Sequence, residues 1–418
     1  MGMFERDQQV FANGEPLADS YEPDDIRERD AKIKKYQRAL QPIIDNNPTS
    51  NIFLYGKTGT GKTVATKFML SHLEADAAEY DDVDLSTVWV GCENLNSSYQ
   101  VAVELVNELR TNQEKDRIPT TGYSQQRVFD LLYDELDTLG GTVVIVLDEI
   151  DNIGQSDDIL YGLPRARSND YVDDVRPVVI GISNDFQFRE NLSPKVKDTL
   201  AEKEILFPPY DANQLRAILE PRAEKAFYDG VLKEDVVPLC AALAAQDSGS
   251  ARQAIRLLRE AGEIAQGEDA QEVIAGHVRR AQNELEKNQL YEGMQELTTQ
   301  GHAVLAALAY FEAANQTPVR SRELYSRYEK LCNDLDADSV SDRRVRDHLS
   351  DMDMLGIITT HERNEGISAG RYHEYELDVS LEAVVDVLDS SSRFEAVADI
   401  VKTAAERNGN GHAGVSDR

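Results

Sequence analysis

The sequence predicts an α/β domain built on a doubly wound parallel sheet, then an α-helical lid, then a C-terminal winged helix. Three observations carry that reading. The apolar run NIFLY at 51–55 leads into the glycine-rich stretch GKTGTGKT at 56–63 and then into a helical pattern. Two further apolar runs, TVVIVLD at 142–148 and RPVVIGISN at 176–184, alternate with helical patterns at 61–74, 97–110 and 125–138, the order that gives a parallel sheet. Beyond LFPPY at 206–210 the strand signals stop until two alternating strands close the chain's last third.

Length and composition frame the rest. At 418 residues, 41% of them hydrophobic, two or three domains with real cores are expected. No apolar run approaches the ~20 residues of a membrane span, and the start, MGMFERDQQV, lacks the apolar core of a signal peptide. Cys92, Cys240 and Cys332 match neither a metal spacing nor a disulfide framework. The expectation is a reduced, cytoplasmic, nucleoid-associated protein with no membrane partner. The formal net charge of −32, from 44 basic and 76 acidic residues, exceeds what solubility needs. It fits a halophilic cytoplasm, because at about 1 M salt the Debye length falls to about 3 Å and self-repulsion is screened.

Gly56-Lys57-Thr58-Gly59-Thr60-Gly61-Lys62-Thr63 fits G-x-x-x-x-G-K-[ST] at every fixed position. Glycines let the loop wrap so that backbone N–H groups point at phosphates, and the following helix adds its positive N-terminal end. Lys62 is expected on the β- and γ-phosphates, and the Thr63 hydroxyl on Mg²⁺. The strand at 142–148 reads as buried on both faces and ends in Asp148-Glu149. Asp148 is expected beside Mg²⁺ and Glu149 as general base for the attacking water, with Asp151 as a helix cap. Asn184, ending the next strand, either orients water near the γ-phosphate or starts a turn. The implied ligand is ATP, with ADP as product.

Residues after 210 give three amphipathic helices, in DANQLRAILEPRAEKAF, KEDVVPLCAALAAQ and SARQAIRLLREAGEIA. Arg252 opens the third, where the helix dipole disfavours a cation unless an anion lies nearby; this favours a phosphate role. The expected boundaries are a tail at 1–16, the nucleotide-binding domain at 17–208, the lid at 209–294, the winged helix at 295–400 and a flexible tail at 401–418.

The last third reads as helices at 302–314, 320–335 and 341–355, followed by the hairpin GIITTHERNEGISAGRYHEYELDV. Three helices plus a hairpin is a winged helix. Val345, Leu349, Met352 and Leu355 share one face of the third helix; Arg343 points opposite, flanked by Arg344 and Arg346. Buried seam and outward arginines make a recognition-helix layout, and Arg363 and Arg371 bracket the wing tip as candidates for phosphates or a minor groove. A solvated arginine face is the plainer alternative. Residues 317–348 hold seven basic and seven acidic residues in an otherwise acidic chain, which favours DNA.

Taken with YEPDDIRERDAKI (21–33), IGISND (180–185), SGSARQAIRLLREAG (248–262) and SDRRVRDHLSDMDMLGII (341–358), these segments resemble a AAA+ ATPase of the archaeal replication-initiator family. That family is related to origin recognition complex subunit 1 and the cell-division-cycle loader protein. The resemblance covers about 17 to 400 and implies an ATP-dependent initiator that binds duplex origin DNA, beside other initiator protomers, and recruits the minichromosome maintenance helicase. It implies an adenine-side segment with Arg29 and Asp30 as a charged pair, and a sensor-1 position at Asn184. The sensor-2 position falls at Arg252, with Tyr210 and Arg222 also at the nucleotide. It further implies a DNA-touching inserted helix, for which 118–137 with Tyr123 at its start is the candidate, although Val128, Leu131 and Leu132 suit an ordinary amphipathic helix. One departure is that LSPKVKDTLAEKEI (192–205) offers Lys195 and Lys197 where the family's eukaryotic members place an arginine for a neighbour's ATP. A lysine lacks the planar fork, so slow intrinsic hydrolysis is expected. The rival reading is a DNA-binding regulator whose nucleotide does not turn over.

Overall fold

A computed structural model of the chain describes residues 9–113, 115–153, 157–200, 203–364 and 371–411. Met1–Ala281 and Gln282–Arg418 form two compact units. The first is built on β1 (Ile52–Tyr55), β2 (Leu85–Gly91), β3 (Thr142–Asp148), β4 (Arg176–Ser183) and β5 (Lys203–Leu206). All pair in parallel, in the order β2-β3-β4-β1-β5. Its sheet helices are α1 (Asp30–Ile44), α2 (Lys62–Ala77), α3 (Ser98–Asn112), α4 (Gln125–Leu139), α5 (Asp158–Gly162), α6 (Phe188–Asn191) and α7 (Pro194–Leu200).

Strand β3 shows why the apolar runs do not alternate. Val143, Ile145 and Leu147 pack into the layer with α3 and α4, whereas Val144 and Val146 pack with α1 and α2. Both faces are covered, so every side chain is buried. Strand β2 is an edge strand with only Val88 and Val90 buried, and the sequence reading passes over it.

The crossover from β2 to β3 carries two helices, α3 and α4. Ser124 caps α4 by accepting the Arg127 N–H, and Val128, Leu131, Leu132 and Leu136 enter the core. The apolar face of the candidate inserted helix is therefore committed to packing, with Tyr123 left exposed just ahead of it.

The lid consists of α8 (Ala212–Ala226), α9 (Val236–Asp247) and α10 (Ala251–Gly267), and α11 (Ala275–Gln295) follows. A reciprocal capping box between Asp211 and Gln214 starts α8. The described part of the expected N-terminal tail is not a tail. Val10 and Leu17 are buried, and Phe11 bridges Phe227. The N–H groups of Ala12 and Asn13 donate to the Ala226 carbonyl. The Phe11 ring lies against Phe227, with centroids 4.8 Å apart, and covers Gly262, where a Cβ would meet it at 2.4 Å.

The second unit contains α12 (Thr299–Ala313), β6 (Val319–Arg320), α13 (Ser321–Asp334), α14 (Asp342–Met354), β7 (Ile358–Asn364), β8 (Arg371–Leu377), α15 (Leu381–Asp389) and α16 (Glu395–Gly411). Its strands form an antiparallel sheet in the order β6-β8-β7. Val345, Leu349 and Met352 are buried as expected, but Leu355 is half exposed. Leu355 is the cap where α14 ends; Gly356 turns the chain at φ +74°, and Ile357 takes the core position. Residues 401–411, expected as tail, continue α16, because Val397, Ala398 and Val401 bury one face in the core. The wing tip, 365–370, lies outside the described residues.

Candidate functional site

Strand order assembles the first site. Strand β4 lies between β3 and β1, so Asn184, just past β4, falls between the phosphate-type loop after β1 and the Asp148-Glu149 pair at the end of β3. Lys62 Nζ donates to the carbonyls of Gly56 (2.7 Å) and Lys57 (3.0 Å) and to Asn184 Oδ1 (2.8 Å). Asn184 Nδ2 donates to Glu149 Oε1 at 3.1 Å. Asp148 accepts the Glu149 N–H at 3.1 Å and the Thr63 hydroxyl at 3.0 Å. Thr63 and Asp148 on one side and Lys62, Asn184 and Glu149 on the other are thus two side-chain clusters, joined through the Glu149 backbone N–H.

The electrostatics follow from burial. Burial pulls the Lys62 ammonium down to about 8, while Asp148, Asp151 and Glu149 hold it up and Arg252 lowers it further. Burial also raises Asp148; the Thr63 hydrogen bond opposes that rise and Glu149 adds to it. Glu149 sits at φ +56°, a left-handed conformation costing of order 1–3 kcal/mol outside glycine. Its neighbours hold it there. Asp151 is not a helix cap: it lies inside the turn Ile150–Ile153, and its Oδ1 accepts the Asn184 N–H at 3.1 Å, fixing Asn184 from behind.

A cavity of about 330 Å³ is lined at one end by Thr58, Gly59, Gly61, Lys62, Thr63, Glu149, Asn184 and Arg252. The lid reaches the loop directly. Ala251 N–H donates to the Gly59 carbonyl at 2.9 Å. A Cβ at Gly59, which has φ +75°, would lie 1.8 Å from Ser250 Oγ. Ser250 caps α10, so the cap that starts the helix also aims Arg252 into the cavity. Thr60 is fully buried, its hydroxyl donating to the Lys57 carbonyl at 2.8 Å.

The other end is closed by Tyr21, Ile26, Ile218 and Ile255, with Arg222 and Lys225 of α8. Arg222 donates to the Pro16 carbonyl at 2.6 Å and sits over the Tyr21 ring. Lys225 donates to Tyr21 Oη and Asp24 Oδ2, each at 3.1 Å. Arg222 thus lines the cavity while engaged by the N-terminal segment. Tyr210 lines it too, its hydroxyl 2.8 Å from where a Gly61 Cβ would stand. Arg29 and Asp30 are not a contact pair: Arg29 is buried against Thr60 and Pro208, and Asp30 is exposed at the start of α1. No local pattern announces Ser250, Tyr21 or Lys225 as site residues.

Donor chemistry fits Mg²⁺. A Thr63 hydroxyl and an Asp148 carboxylate in contact are hard oxygens, and Mg²⁺ takes one or two protein oxygens with substrate phosphates and water completing its shell. Among the described residues no group of three or more His, Cys, Asp or Glu could hold a metal unaided.

In the second unit Arg343 and Arg344 are exposed on α14 and have no ion-pair partner among the described residues. The other candidate arginines are paired: Arg346 with Asp342, Arg363 with Glu374 at 3.1 Å, and Arg371 with Glu362 at 3.6 Å. Among the described residues no helix is long and apolar enough to cross a membrane.

Known proteins carry the same three parts. The chain matches the AAA domain over residues 46–188, the Cdc6 AAA+ ATPase-type lid domain over 216–283 and the CDC6 C-terminal winged helix domain over 292–387. It is 51% identical to ORC1-type DNA replication protein 15 of Haloarcula marismortui, over 96% of this chain and 98% of that protein. Identity to ORC1-type DNA replication protein 10 of Halobacterium salinarum is 49%, over 98% and 99%. A solved structure of the Aeropyrum pernix ORC1 protein in complex with DNA is similar at a TM-score of 0.81 and 36% identity, covering 94% of this chain and 99% of that one. With a nucleotide-binding AAA+ domain, a Cdc6-type lid and a winged helix along its length, the chain belongs to the Orc1/Cdc6 family of DNA replication proteins.

Proposed function

We propose that this chain is an ATP-switched replication initiator that holds duplex origin DNA through its winged helix and turns ATP over slowly. The observation that carries the reading is the contact chain Thr63–Asp148–Glu149–Asn184–Lys62, of which Lys62, Thr63, Glu149 and Asn184 line the same cavity as lid residue Arg252. Lys62 and the loop N–H groups bind the phosphates; Thr63 and Asp148 are the residues that would hold Mg²⁺. When bound, that ion would supply positive charge to offset the negative charge that develops on the phosphate oxygens. Glu149 takes the proton of the attacking water, and Asn184 holds both that carboxylate and the Lys62 ammonium in register. Arg252 adds positive charge from the lid, so the nucleotide state sets how tightly the lid closes on the loop.

Turnover is slow because the 192–205 segment supplies lysines in place of arginine. Lys197 is also occupied, donating to the Glu190 carbonyl at 2.6 Å. That same observation favours a second reading, a DNA-binding regulator that keeps its nucleotide unhydrolysed. Downstream, the minichromosome maintenance helicase is the partner that an initiator of this family would load, with further initiator protomers beside it on the DNA.

The test is phosphate release with and without duplex DNA, in the parent, Glu149→Gln and Lys62→Ala. Slow release that disappears in Glu149→Gln while ATP binding persists, with binding itself lost in Lys62→Ala, supports the switch. Equal release in the parent and Glu149→Gln sinks the general-base assignment and leaves the regulator.

A further inference from the structure

Asn184 stands one residue past the sheet. Both ladders of β4 end before it, at Leu147–Gly181 with β3 and at Tyr55–Ser183 with β1. Strand pairing therefore does not fix the backbone that carries its side chain. Asp151 does, its Oδ1 accepting the Asn184 N–H at 3.1 Å. Asp151 is itself anchored within its turn. Ile150 and Ile153 on either side of it are buried in the core, and Asn152 donates both its N–H and its Nδ2 to the Glu149 carbonyl, each at 3.1 Å. From the other direction the buried Ser183 hydroxyl accepts the Asp185 N–H and donates to the Asp185 carbonyl, each at 3.0 Å. Asn184 lines the cavity, and Asp151 lies behind it.

We propose that Asp151 is a positioning residue for ATP hydrolysis, holding the Asn184 backbone so that its amide spans Lys62 and Glu149. This rests on the hydrolysis reading above and assigns it a residue that does not reach the nucleotide. The Asn184 amide has to meet two partners at once, Lys62 Nζ at 2.8 Å and Glu149 Oε1 at 3.1 Å. A backbone free to turn would keep one contact and lose the other. Loss of the Glu149 contact frees the carboxylate from the place where it takes the water's proton. Phosphate binding by Lys62 and the glycine-rich loop does not need that contact, so the step that depends on Asp151 is turnover and not binding.

The test compares Asp151→Ala with Asp151→Asn in the full chain, by phosphate release at varied ATP and by calorimetric titration with ADP. Both remove the same negative charge, which also supports the Lys62 ammonium, so the difference between them reads the accepted hydrogen bond alone. Asp151→Ala is expected to lower kcat roughly ten- to hundredfold, up to the scale of a reacting group misplaced by about 1 Å, with KM and ADP affinity unchanged. Asp151→Asn keeps the accepting oxygen without its charge assistance and is expected to stay within about threefold of the parent. Because the two residues act in series, Asp151→Ala combined with Asn184→Ala is expected to be no slower than Asn184→Ala alone. Equal losses in Asp151→Ala and Asp151→Asn, losses that multiply in the double variant, or ADP affinity falling along with kcat would each overturn the positioning role and leave the hydrolysis reading standing. If the parent releases no more phosphate than Lys62→Ala, the hydrolysis reading falls and this role with it.

Discussion

The guanidinium of Arg29 sits over the ring of Tyr210, 3.6 Å from its centroid, and donates to the carbonyls of Thr60 (3.1 Å) and Pro208 (2.5 Å). One buried side chain therefore ties the start of α1, the glycine-rich loop and the segment entering the lid. Burial lowers the Arg29 guanidinium from its ordinary value, with Tyr210 opposing the shift.

Arg29→Ala removes that tie, and it is expected to weaken ADP binding about tenfold, the scale of one lost charged hydrogen-bonding group. Arg29→Lys keeps the charge without the fork and should recover only part of the loss. Calorimetric titration with ADP reads both, and unchanged affinity in Arg29→Ala would show that the loop holds its shape alone.

Gly59→Ala attacks the lid contact from the other side. A methyl group there meets Ser250 Oγ at 1.8 Å and Ser250 Cβ at 2.9 Å, on a backbone at φ +75°. The left-handed conformation alone costs roughly 1–2 kcal/mol for a non-glycine residue. The lid must back away, carrying Arg252 with it, so ATP hydrolysis is expected to fall at least tenfold while the winged-helix unit is untouched. Parallel ATPase and DNA-binding assays separate the two effects; loss of both together would point to general unfolding.

Arg343→Ala and Arg344→Ala are expected to flatten the preference for one DNA sequence over random duplex, since these two arginines reach outward from α14 without a carboxylate partner among the described residues. A bidentate arginine–guanine contact contributes about 1–3 kcal/mol of discrimination. Arg371→Ala should weaken all sequences evenly, because a contact from the wing to phosphate carries no sequence information. Anisotropy titration of a genome-enriched site against its scrambled form reads the difference, and full sequence preference in the α14 variants would remove the recognition-helix assignment.

The net charge of −32 makes the fold itself salt-dependent. Lowering KCl from multimolar to about 0.1 M lengthens the screening distance to about 10 Å, and carboxylate repulsion should lower the melting temperature. Circular dichroism across the series measures it. A melting temperature that does not move would mean the excess carboxylates do not repel strongly enough to loosen the fold, and would remove the argument for a halophilic cytoplasm.

The legible parts of this chain are those encoded locally. Gly56 to Thr63 declares its backbone by residue type, β3 declares itself by an unbroken apolar run, and the Val345, Leu349, Met352 face declares α14. What escapes is set by partners far along the chain. Asp151 reads as a cap because its partner, the Asn184 N–H, is 33 residues away. Arg363 and Arg371 read as outward cations because their carboxylates, Glu374 and Glu362, lie on the opposite strand of the hairpin, whereas the partner of Arg346, Asp342, is within reach of a local reading at four residues' spacing. Strand β2 escapes because an edge strand buries only part of itself, so LSTVWVG carries a diluted signal. Residues 10–16 read as tail because the apolar run Val10-Phe11-Ala12 is too short to declare a packed segment; the partners of Phe11 are Phe227 and Gly262.

That N-terminal segment has a practical use. Val10, Ala12, Asn13 and Pro16 are bonded to α8 and the residues just beyond it, so the segment rides on the lid although it precedes the sheet in sequence. A small fluorophore at the exposed residue Gln9, with an acceptor on exposed Tyr80 just past α2, would form a distance gauge between the lid and the sheet helices. Its energy transfer would report lid opening in real time, without touching any residue that lines the cavity.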